Sequence, residues 1–263
     1  MSGAARGHLA RRAAQGLGIV LRYVTLELLR SPRRTGRFLR TIGREILAYD
    51  HREAGGRIPR RSLEALCPGI QAVDVTLTNA SFRDGNVSTE ELYALCALAR
   101  YRRVRRVLEI GTFDGRVTAH LARNLGPDAS FVTIDLRPED LGATRWPLAV
   151  GEDLYVSKET VGARIRRLPE PLRERITQVF GDSARLDFSP YYGRMDLVFI
   201  DGSHQYQYVE HDTTEAFRLR APQGLIVWHD YLTWPDVTAY LNRLSQQYPL
   251  THLEGTSLVV WCP

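Results

Sequence analysis

Four side chains that can exchange protons or bind metal ions follow two apolar runs in the second half of the chain. Asp201 and His204 come after one run, and His229 and Asp230 come directly after the next. The carboxyl ends of neighbouring parallel strands meet at one edge of a sheet, so we expect these residues to lie together. Two carboxylates and two imidazoles could hold a divalent cation such as Mg²⁺ or Mn²⁺, or they could supply a general base.

A turn that contains two glycines precedes these residues. The stretch from Glu109 to Gly115 reads E-I-G-T-F-D-G and joins an apolar run to a helical pattern. Such a strand, turn and helix are typical of the nucleoside-binding corner of an α/β sheet. A dinucleotide-binding turn has the spacing G-x-G-x-x-G, whereas Gly111 and Gly115 are four residues apart. The carboxylate two residues before the first glycine favours a ligand that carries a positive amine over one that carries phosphates.

Two further acids lie at the ends of apolar runs. Asp135 ends the run that follows Gly115 by 20 residues, where an acid can accept both hydroxyls of an adenosine ribose. Asp182 follows the next run and could accept a hydrogen bond from an adenine amino group. Each acid also has a purely structural interpretation, as an exposed strand end for Asp135 and as a turn or helix cap for Asp182.

From residue 86 onward, short apolar runs alternate with helical patterns. This alternation predicts an α/β fold, a doubly wound and mostly parallel sheet of the Rossmann-like kind. A capping box at Ser88 and Glu91 begins the first helix, and the tail 251–261 reads as an antiparallel strand pair. Residues 136–157 fit neither period, and we expect them to form a mobile cover over the site. The other predicted strands are 106–110, 130–135, 177–180, 195–200 and 224–228, and the other predicted helices are 116–125, 158–167, 206–220 and 235–247.

The positive charge of the chain is concentrated in residues 1–70. This segment has 14 arginines and five acidic residues, a net charge of +9, whereas the remainder has 21 basic and 25 acidic residues. The apolar run 17–29 is too short for a membrane span, contains Arg22, and is not followed by a signal-peptide cleavage pattern. Residues 37–47 have amphipathic helical spacing. We predict a basic helical extension that packs on the body or on a second copy of the chain, or contacts an anionic membrane surface, and no nucleic-acid binding.

The cysteine content indicates the compartment. Cys67, Cys96 and Cys262 lie far apart and form no C-x-x-C pair. This spacing predicts reduced thiols in a cytoplasmic protein, and neither a disulfide framework nor a zinc site. A length of 263 residues with 44% hydrophobic content is enough for one sizeable core and an extension.

Taken together, these segments resemble the class I S-adenosylmethionine-dependent methyltransferases. More narrowly, they resemble the bacterial group of macrocin-type and sugar O-methyltransferases and cephalosporin-hydroxylase-like proteins. The resemblance implies that residues 71–263 form a methyltransferase domain after the extension at 1–70. It rests on Glu109 to Gly115, Asp135, Gly181-Asp182, I-D-G-S-H at 200–204 and W-H-D-Y at 228–231.

The resemblance implies that one group of residues binds S-adenosylmethionine. Within this group, Glu109 would draw on the ammonium group of the cofactor, Asp135 would hold the ribose and Asp182 the adenine. Thr118 would assist the glycine turn. The predicted cofactor-binding residues are Glu109, Gly111, Thr112, Gly115, Asp135 and Asp182.

A second group would bind a divalent metal and carry the chemistry. The resemblance places Asp201, His229 and Asp230 at positions that bind a metal, Mg²⁺ or another divalent cation, in metal-dependent relatives. Several such relatives have a second acid where this chain has His229. The predicted catalytic residues are His204, His229 and Asp201, with a proton-accepting or substrate-contacting role for His204.

The expected activity is O-methylation of a sugar or another polyhydroxylated small molecule or glycan. Three alternatives stay open. An NAD-dependent oxidoreductase would use Asp135 but needs a different glycine pattern. A metal-dependent hydroxylase would need a redox-active centre, and no H-x-D…H spacing is present. A non-catalytic docking or assembly protein could keep the fold and use its basic extension for contact.

Overall fold

The computed structural model of the protein describes residues 55–78, 85–149, 152–156 and 160–263. The elements described below lie in one compact unit, His51–Pro263. The apolar run 17–29 and the predicted helical segment 37–47 lie outside the described residues, and the domain boundary after residue 70 stays a prediction. Residues 55–70 contribute a short strand and a short helix to the compact unit. In the part of the chain that is described, no helix is long and apolar enough to cross a membrane.

An eight-stranded sheet forms the centre of this unit. Its spatial order is β1-β7-β8-β6-β5-β2-β3-β4. The five strands from β4 to β6 run parallel, and β8 pairs antiparallel with both β6 and β7. The predicted sheet and its antiparallel closing pair are therefore confirmed. The strands are β1 (Arg60–Arg61), β2 (Arg106–Ile110), β3 (Ser130–Asp135), β4 (Ile176–Phe180), β5 (Met195–Ile200), β6 (Arg220–Trp228), β7 (Thr251–Leu253) and β8 (Val259–Trp261).

Helices connect the strands, and most of them match the predicted ranges. The predicted helix 158–167 is shorter in the structure: it begins after Gly162, whose φ of 67° is left-handed, and Pro169 starts a separate short helix. The helices are α1 (Leu63–Leu66), α2 (Thr89–Tyr101), α3 (Arg116–Asn124), α4 (Ala163–Arg166), α5 (Glu170–Arg173), α6 (Tyr206–Leu219) and α7 (Pro235–Leu244). Short 3-10 turns lie at Ile70–Ala72, Pro138–Ala143, Glu152–Tyr155, Ser183–Arg185 and Ser189–Tyr191.

The sheet has a hydrophobic layer on each face. Along β5, Leu197 and Phe199 pack into the layer that contains α2 and α3, whereas Val198 and Ile200 pack into the layer that contains α6 and α7. Successive side chains of a strand point to opposite faces, so both sets are buried. This two-sided burial is the reason that the central strands have nearly continuous apolar sequences.

The predicted capping box of α2 is present. The Ser88 hydroxyl accepts a hydrogen bond from the Glu91 backbone N–H at 3.1 Å, and the Glu91 carboxylate accepts one from the Ser88 N–H at 2.7 Å. The box fixes the start of α2 and leaves the Glu91 side chain buried at the carboxyl edge of the sheet.

Candidate active site

The glycine turn brings the end of β2 against the end of β5. Gly111 has a φ of 99°, and a methyl group on its Cα would lie 1.9 Å from the Asp201 carbonyl oxygen. Only glycine permits both that conformation and that approach. Gly115, with a φ of 83°, begins α3. The two glycines therefore place the predicted cofactor-binding turn beside the first residue of the predicted catalytic group.

Glu109 is fully buried beneath this turn. One carboxylate oxygen accepts hydrogen bonds from the hydroxyls of Thr118 and Thr133, the latter at 2.8 Å. The Thr112 and Thr133 hydroxyls are 2.6 Å apart and extend the network to the turn. Burial raises the pKa of Glu109 to about 8, although the two threonine hydrogen bonds oppose this shift. The side chain is therefore a carboxylic acid that ionises with difficulty until a positive charge approaches it.

Asp135 ends β3 and receives the backbone of the turn. Its carboxylate accepts hydrogen bonds from the N–H groups of Thr112 at 3.1 Å, Phe113 at 2.7 Å and Leu136 at 2.7 Å. Burial raises its pKa to about 6, and these hydrogen bonds moderate the increase. Phe113 has a φ of 45°, a conformation that this network holds in place. Asp135 thus supports the turn, and its contact with a ribose stays a prediction.

Asp182 acts as a cap in the structure. One carboxylate oxygen accepts a hydrogen bond from the Ala184 N–H at 3.0 Å at the start of a 3-10 turn, and the other accepts one from the Arg145 N–H at 2.6 Å. The structural interpretation of Asp182 as a turn or helix cap is therefore confirmed. A contact with adenine stays a prediction.

The four residues predicted to share the sheet edge do lie together. His229 Nδ1 is 3.0 Å from Asp201 Oδ1 and 3.3 Å from Asp230 Oδ2, and His204 Nε2 is 2.6 Å from the same Asp230 oxygen. Asp230 has a φ of 65°, and its N–H donates to the Ser257 hydroxyl at 3.1 Å. This left-handed turn directs consecutive side chains of the chain toward one point.

The Glu91 carboxylate contacts Nε2 of His229, the ring nitrogen that faces away from Asp201 and Asp230. The distance from His229 Nε2 to Glu91 Oε2 is 3.2 Å. The other Glu91 oxygen accepts hydrogen bonds from the Ser257 N–H and hydroxyl, each at 2.8 Å. Burial disfavours charge on both groups, but the Asp201, Asp230 and Glu91 carboxylates raise the pKa of His229 well above its ordinary value. Sequence reasoning assigned Glu91 only to the capping box, because a contact 138 residues away leaves no local signal.

His204 is held between two carboxylates. Its Nδ1 is 2.6 Å from Glu152 Oε1, its Nε2 is 2.6 Å from Asp230 Oδ2, and its ring stacks on Trp234 at 4.3 Å. Burial disfavours the charged ring, yet Asp230 and Glu152 together raise the pKa of His204 to about 10. A protonated ring with both nitrogens engaged has no lone pair for a proton. The arrangement therefore favours an orienting role for His204 over the general-base role considered from the sequence.

Glu152 belongs to the segment 136–157 that had no clear period in the sequence. Its carboxylate also accepts hydrogen bonds from the Ser203 hydroxyl at 2.9 Å and the His204 N–H at 2.6 Å. The same segment contacts the body through Trp146, whose ring packs on Tyr208 at 5.2 Å. The described part of the segment thus lies against the site, as expected for a cover. No sequence signal singled out Glu152.

The donor atoms of Asp201, His229 and Asp230 fit a metal ion. One ligand atom from each residue lies within 4.8 Å of the others. His229 Nδ1 is buried and lies 3.0 Å from Asp201 Oδ1, but it forms no well-directed hydrogen bond with that oxygen. A buried polar atom without a partner is costly unless a ligand satisfies it. The residues therefore suit a divalent cation.

Comparison with known proteins identifies the central part of the chain. Residues 108–231 match a family model described as a methyltransferase domain. This part of the chain is a methyltransferase domain. The matched segment includes the glycine turn, Asp135 and the whole sheet-edge cluster.

Relatives and solved structures agree with this methyltransferase domain. A catechol O-methyltransferase of Mycobacterium tuberculosis is 30% identical over 119 residues, which are 45% of this chain and 46% of that protein. The chain spans about half the length of the curated relatives it matches.

Two solved structures establish the fold. The O-methyltransferase TomG from Streptomyces achromogenes, in complex with SAM, has a TM-score of 0.50 and 21% identity, with 83% of this chain and 96% of that chain covered. The O-methyltransferase NovP has a TM-score of 0.52 and 15% identity, with 66% of this chain and 80% of that chain covered. The predicted class I, Rossmann-like fold is confirmed, whereas the narrower bacterial group stays a prediction.

Proposed function

We propose that the protein is an S-adenosylmethionine-dependent O-methyltransferase that acts on a sugar or another polyhydroxylated small molecule or glycan, with the help of a divalent cation. One observation carries the proposal: the Asp201–His229–Asp230 cluster lies at the sheet edge where the glycine turn of the methyltransferase domain ends. This arrangement puts a group that can bind hydroxyls beside the expected site of the methyl donor.

The methyl donor is supported by the surroundings of the glycine turn. S-adenosylmethionine carries an ammonium group and a sulfonium, and Glu109 and Asp135 supply carboxyl groups beneath the turn and at the end of β3. The relative named catechol O-methyltransferase and the SAM complex of TomG agree with this choice. A cationic ligand near Glu109 would favour the ionised form of its buried carboxyl.

The acceptor is supported by the chemistry of the cluster and by the name of one relative. A catechol presents two hydroxyls on neighbouring carbons, and so does a sugar. Three protein ligands leave positions open on a cation, and adjacent hydroxyls can occupy such positions together. A polyhydroxylated acceptor therefore fits the cluster, and the surrounding segment 136–157 would select among such molecules.

Methyl transfer is an in-line displacement. The acceptor oxygen forms a bond to the methyl carbon while the sulfur–methyl bond breaks, and the sulfur keeps the electron pair to give S-adenosylhomocysteine. A bound cation would polarise the hydroxyl and make its proton easier to remove. The protein holds donor and acceptor in line, which supplies much of the rate enhancement.

The remaining task of the residues is to orient the acceptor and accept its proton. Asp201 offers one carboxylate oxygen to the cation, and we assign its other oxygen as the proton acceptor. His204, engaged by Glu152 and Asp230, orients Asp230 and contributes positive charge. His229 orients through its contact with Glu91 and serves as a cation ligand.

The test measures cofactor binding and turnover separately. Purified full-length protein is titrated with S-adenosylhomocysteine, and methyl transfer is then assayed with a polyol panel and a catechol, with and without EDTA. We expect cofactor binding in every case and transfer that EDTA abolishes. Asp230→Asn should lose turnover, whereas Asp128→Asn, an exposed acid paired with Arg105, should not. Cofactor binding without transfer to any acceptor would favour the docking protein instead.

The location and contacts of the protein are a further part of the proposal. We propose a cytoplasmic enzyme whose basic segment 1–70 contacts a second copy of the chain or an anionic membrane surface. The net charge of +9 in this segment supports such contacts. Co-sedimentation with anionic vesicles and light scattering of the full chain would distinguish the two.

A further inference from the structure

We infer that Asp201, His229 and Asp230 form a mixed nitrogen and oxygen site that selects a transition ion of the Fe²⁺, Co²⁺ and Zn²⁺ class over Mg²⁺. The inference rests on the cation-assisted function proposed above and adds the chemical class of the ion. It follows from the imidazole ligand, from the fixed orientation of that ligand and from the charge of the site.

The separations of the donor atoms suit one ion. His229 Nδ1 lies 3.0 Å from Asp201 Oδ1 and 3.3 Å from Asp230 Oδ2. Neighbouring ligands on an ion with bonds of about 2.1 Å are separated by about 3.0–3.4 Å, in octahedral or tetrahedral arrangements. The third pair, the Asp201 and Asp230 oxygens, lies within 4.8 Å, so the three side chains surround a position that one ion can occupy.

His229 can offer Nδ1 to an ion because its other ring nitrogen, Nε2, contacts Glu91. Glu91 Oε2 lies 3.2 Å from His229 Nε2, so Nε2 carries a proton and donates a hydrogen bond to the Glu91 carboxylate. When an ion displaces the second ring proton, the lone pair is left on Nδ1, the buried nitrogen that faces Asp201 and Asp230. A carboxylate behind a histidine is the usual support of a metal-bound imidazole, since it fixes the tautomer and the ring plane.

Glu91 is itself held rigidly. The Ser88 N–H, the Ser257 N–H and the Ser257 hydroxyl all donate to its carboxylate, at 2.7–2.8 Å. Ser257 also accepts a hydrogen bond from the N–H of Asp230. Ser257 therefore connects Glu91, which supports the His229 ring, to the backbone of Asp230. These hydrogen bonds fix the positions of both ligands before an ion binds.

The ligand set disfavours Mg²⁺. Mg²⁺ prefers oxygen ligands in a near-ideal octahedron, whereas imidazole suits Zn²⁺ and iron. Two carboxylates and a neutral imidazole carry two negative charges, one fewer than three carboxylates would. The hydrogen bond from His204 to Asp230 withdraws further charge from one of the two carboxylates. A site with less negative charge and a nitrogen ligand loses more affinity for Mg²⁺ than for a transition ion.

The test compares ion selectivity between matched variants of the full chain. Transition ions bind most mixed sites more tightly than Mg²⁺, so the informative quantity is the change in the ratio of Co²⁺ to Mg²⁺ affinity. Calorimetric titration should show that His229→Asp lowers this ratio at least tenfold. His211→Asp is the matched control, since His211 also precedes an aspartate but lies outside the cluster, and it should leave the ratio unchanged.

Two further measurements exclude a merely structural effect. Pulsed EPR of the Mn²⁺-loaded protein should show coupling to an imidazole ¹⁴N that His229→Asp abolishes and His211→Asp keeps. Glu91→Gln should weaken Co²⁺ binding 10- to 100-fold while the ¹⁴N coupling persists. Circular dichroism confirms that each variant is folded. If His229→Asp leaves the affinity ratio unchanged, or if the ¹⁴N coupling is absent from the unsubstituted protein, the inference is wrong.

These results do not depend on turnover. If the protein shows the expected ion selectivity but methyl transfer persists in EDTA, the inference stands and the cation-assisted part of the proposed function fails. If S-adenosylhomocysteine does not bind, the proposed methyl donor fails, and the ion titrations still decide the nature of the site.

Discussion

The buried carboxyl of Glu109 makes a quantitative prediction about stability and pH. Burial raises its pKa to about 8 in the folded protein, against an ordinary value of 4.5. At a pH between these two pKa values, Glu109 is ionised in the unfolded chain but still protonated in the folded protein. Raising the pH therefore favours the unfolded chain, and the free energy of unfolding falls by about 1.4 kcal/mol per pH unit through this group. Over the whole interval the loss amounts to about 5 kcal/mol.

Glu109→Gln should remove this dependence. Glutamine imitates the neutral acid, because its amide oxygen can still accept from the Thr118 and Thr133 hydroxyls. We expect the variant and the unsubstituted protein to differ by less than about 1.5 kcal/mol near pH 5. At pH 7.5 the variant should be more stable by about 4 kcal/mol, which is close to the full effect of the buried charge.

Urea unfolding of both proteins at pH 5.0, 6.25 and 7.5 measures the effect. EDTA is present throughout, because a cation bound at Asp201 would change the charge near Glu109. The Asp135 carboxyl, with a pKa of about 6, titrates in both proteins, so most of its own contribution cancels in the difference. Parallel pH profiles for the two proteins would refute the reasoning, since they would mean that Glu109 ionises normally in the folded state.

Three other substitutions test the site. Gly111→Ala should lower the free energy of unfolding, measured in urea, by more than about 3 kcal/mol, because its methyl group would lie 1.9 Å from the Asp201 carbonyl oxygen. Gly142→Ala, in open space, is the control and should change it by less than about 0.5 kcal/mol. Similar unfolding midpoints for the two variants would contradict the close approach at Gly111. Asp201→Asn should lower kcat about 10²- to 10⁴-fold in the methyl-transfer assay with S-adenosylhomocysteine affinity retained, and near-normal turnover would exclude it as the proton acceptor. Glu152→Gln should release His204 and lower kcat at least about tenfold without affecting S-adenosylhomocysteine binding. An unchanged kcat would mean that the contact between Glu152 and His204 does not contribute to turnover.

Much of the sheet could be predicted from local sequence. The strands β2, β3 and β5 have the predicted bounds, because each is a β-branched apolar run that ends at a glycine or an acid. The predicted helix at 158–167 was too long, since Gly162 and Pro169 limit it through backbone conformation. The capping box of α2 was correct because its hydrogen bonds are local.

The sequence by itself determined the chemistry available at the sheet edge and the order in which it occurs along the chain. The carboxyl ends of neighbouring parallel strands lie at the same edge of the sheet, so the sequence alone could place Asp201, His229 and Asp230 together. Only the tertiary structure decided what each side chain does there. Glu91 and Glu152 reach the two histidines from distant segments, and no sequence period reports such contacts. They decide which imidazole nitrogen is engaged, because a buried ring takes its protonation state from the groups that pack against it.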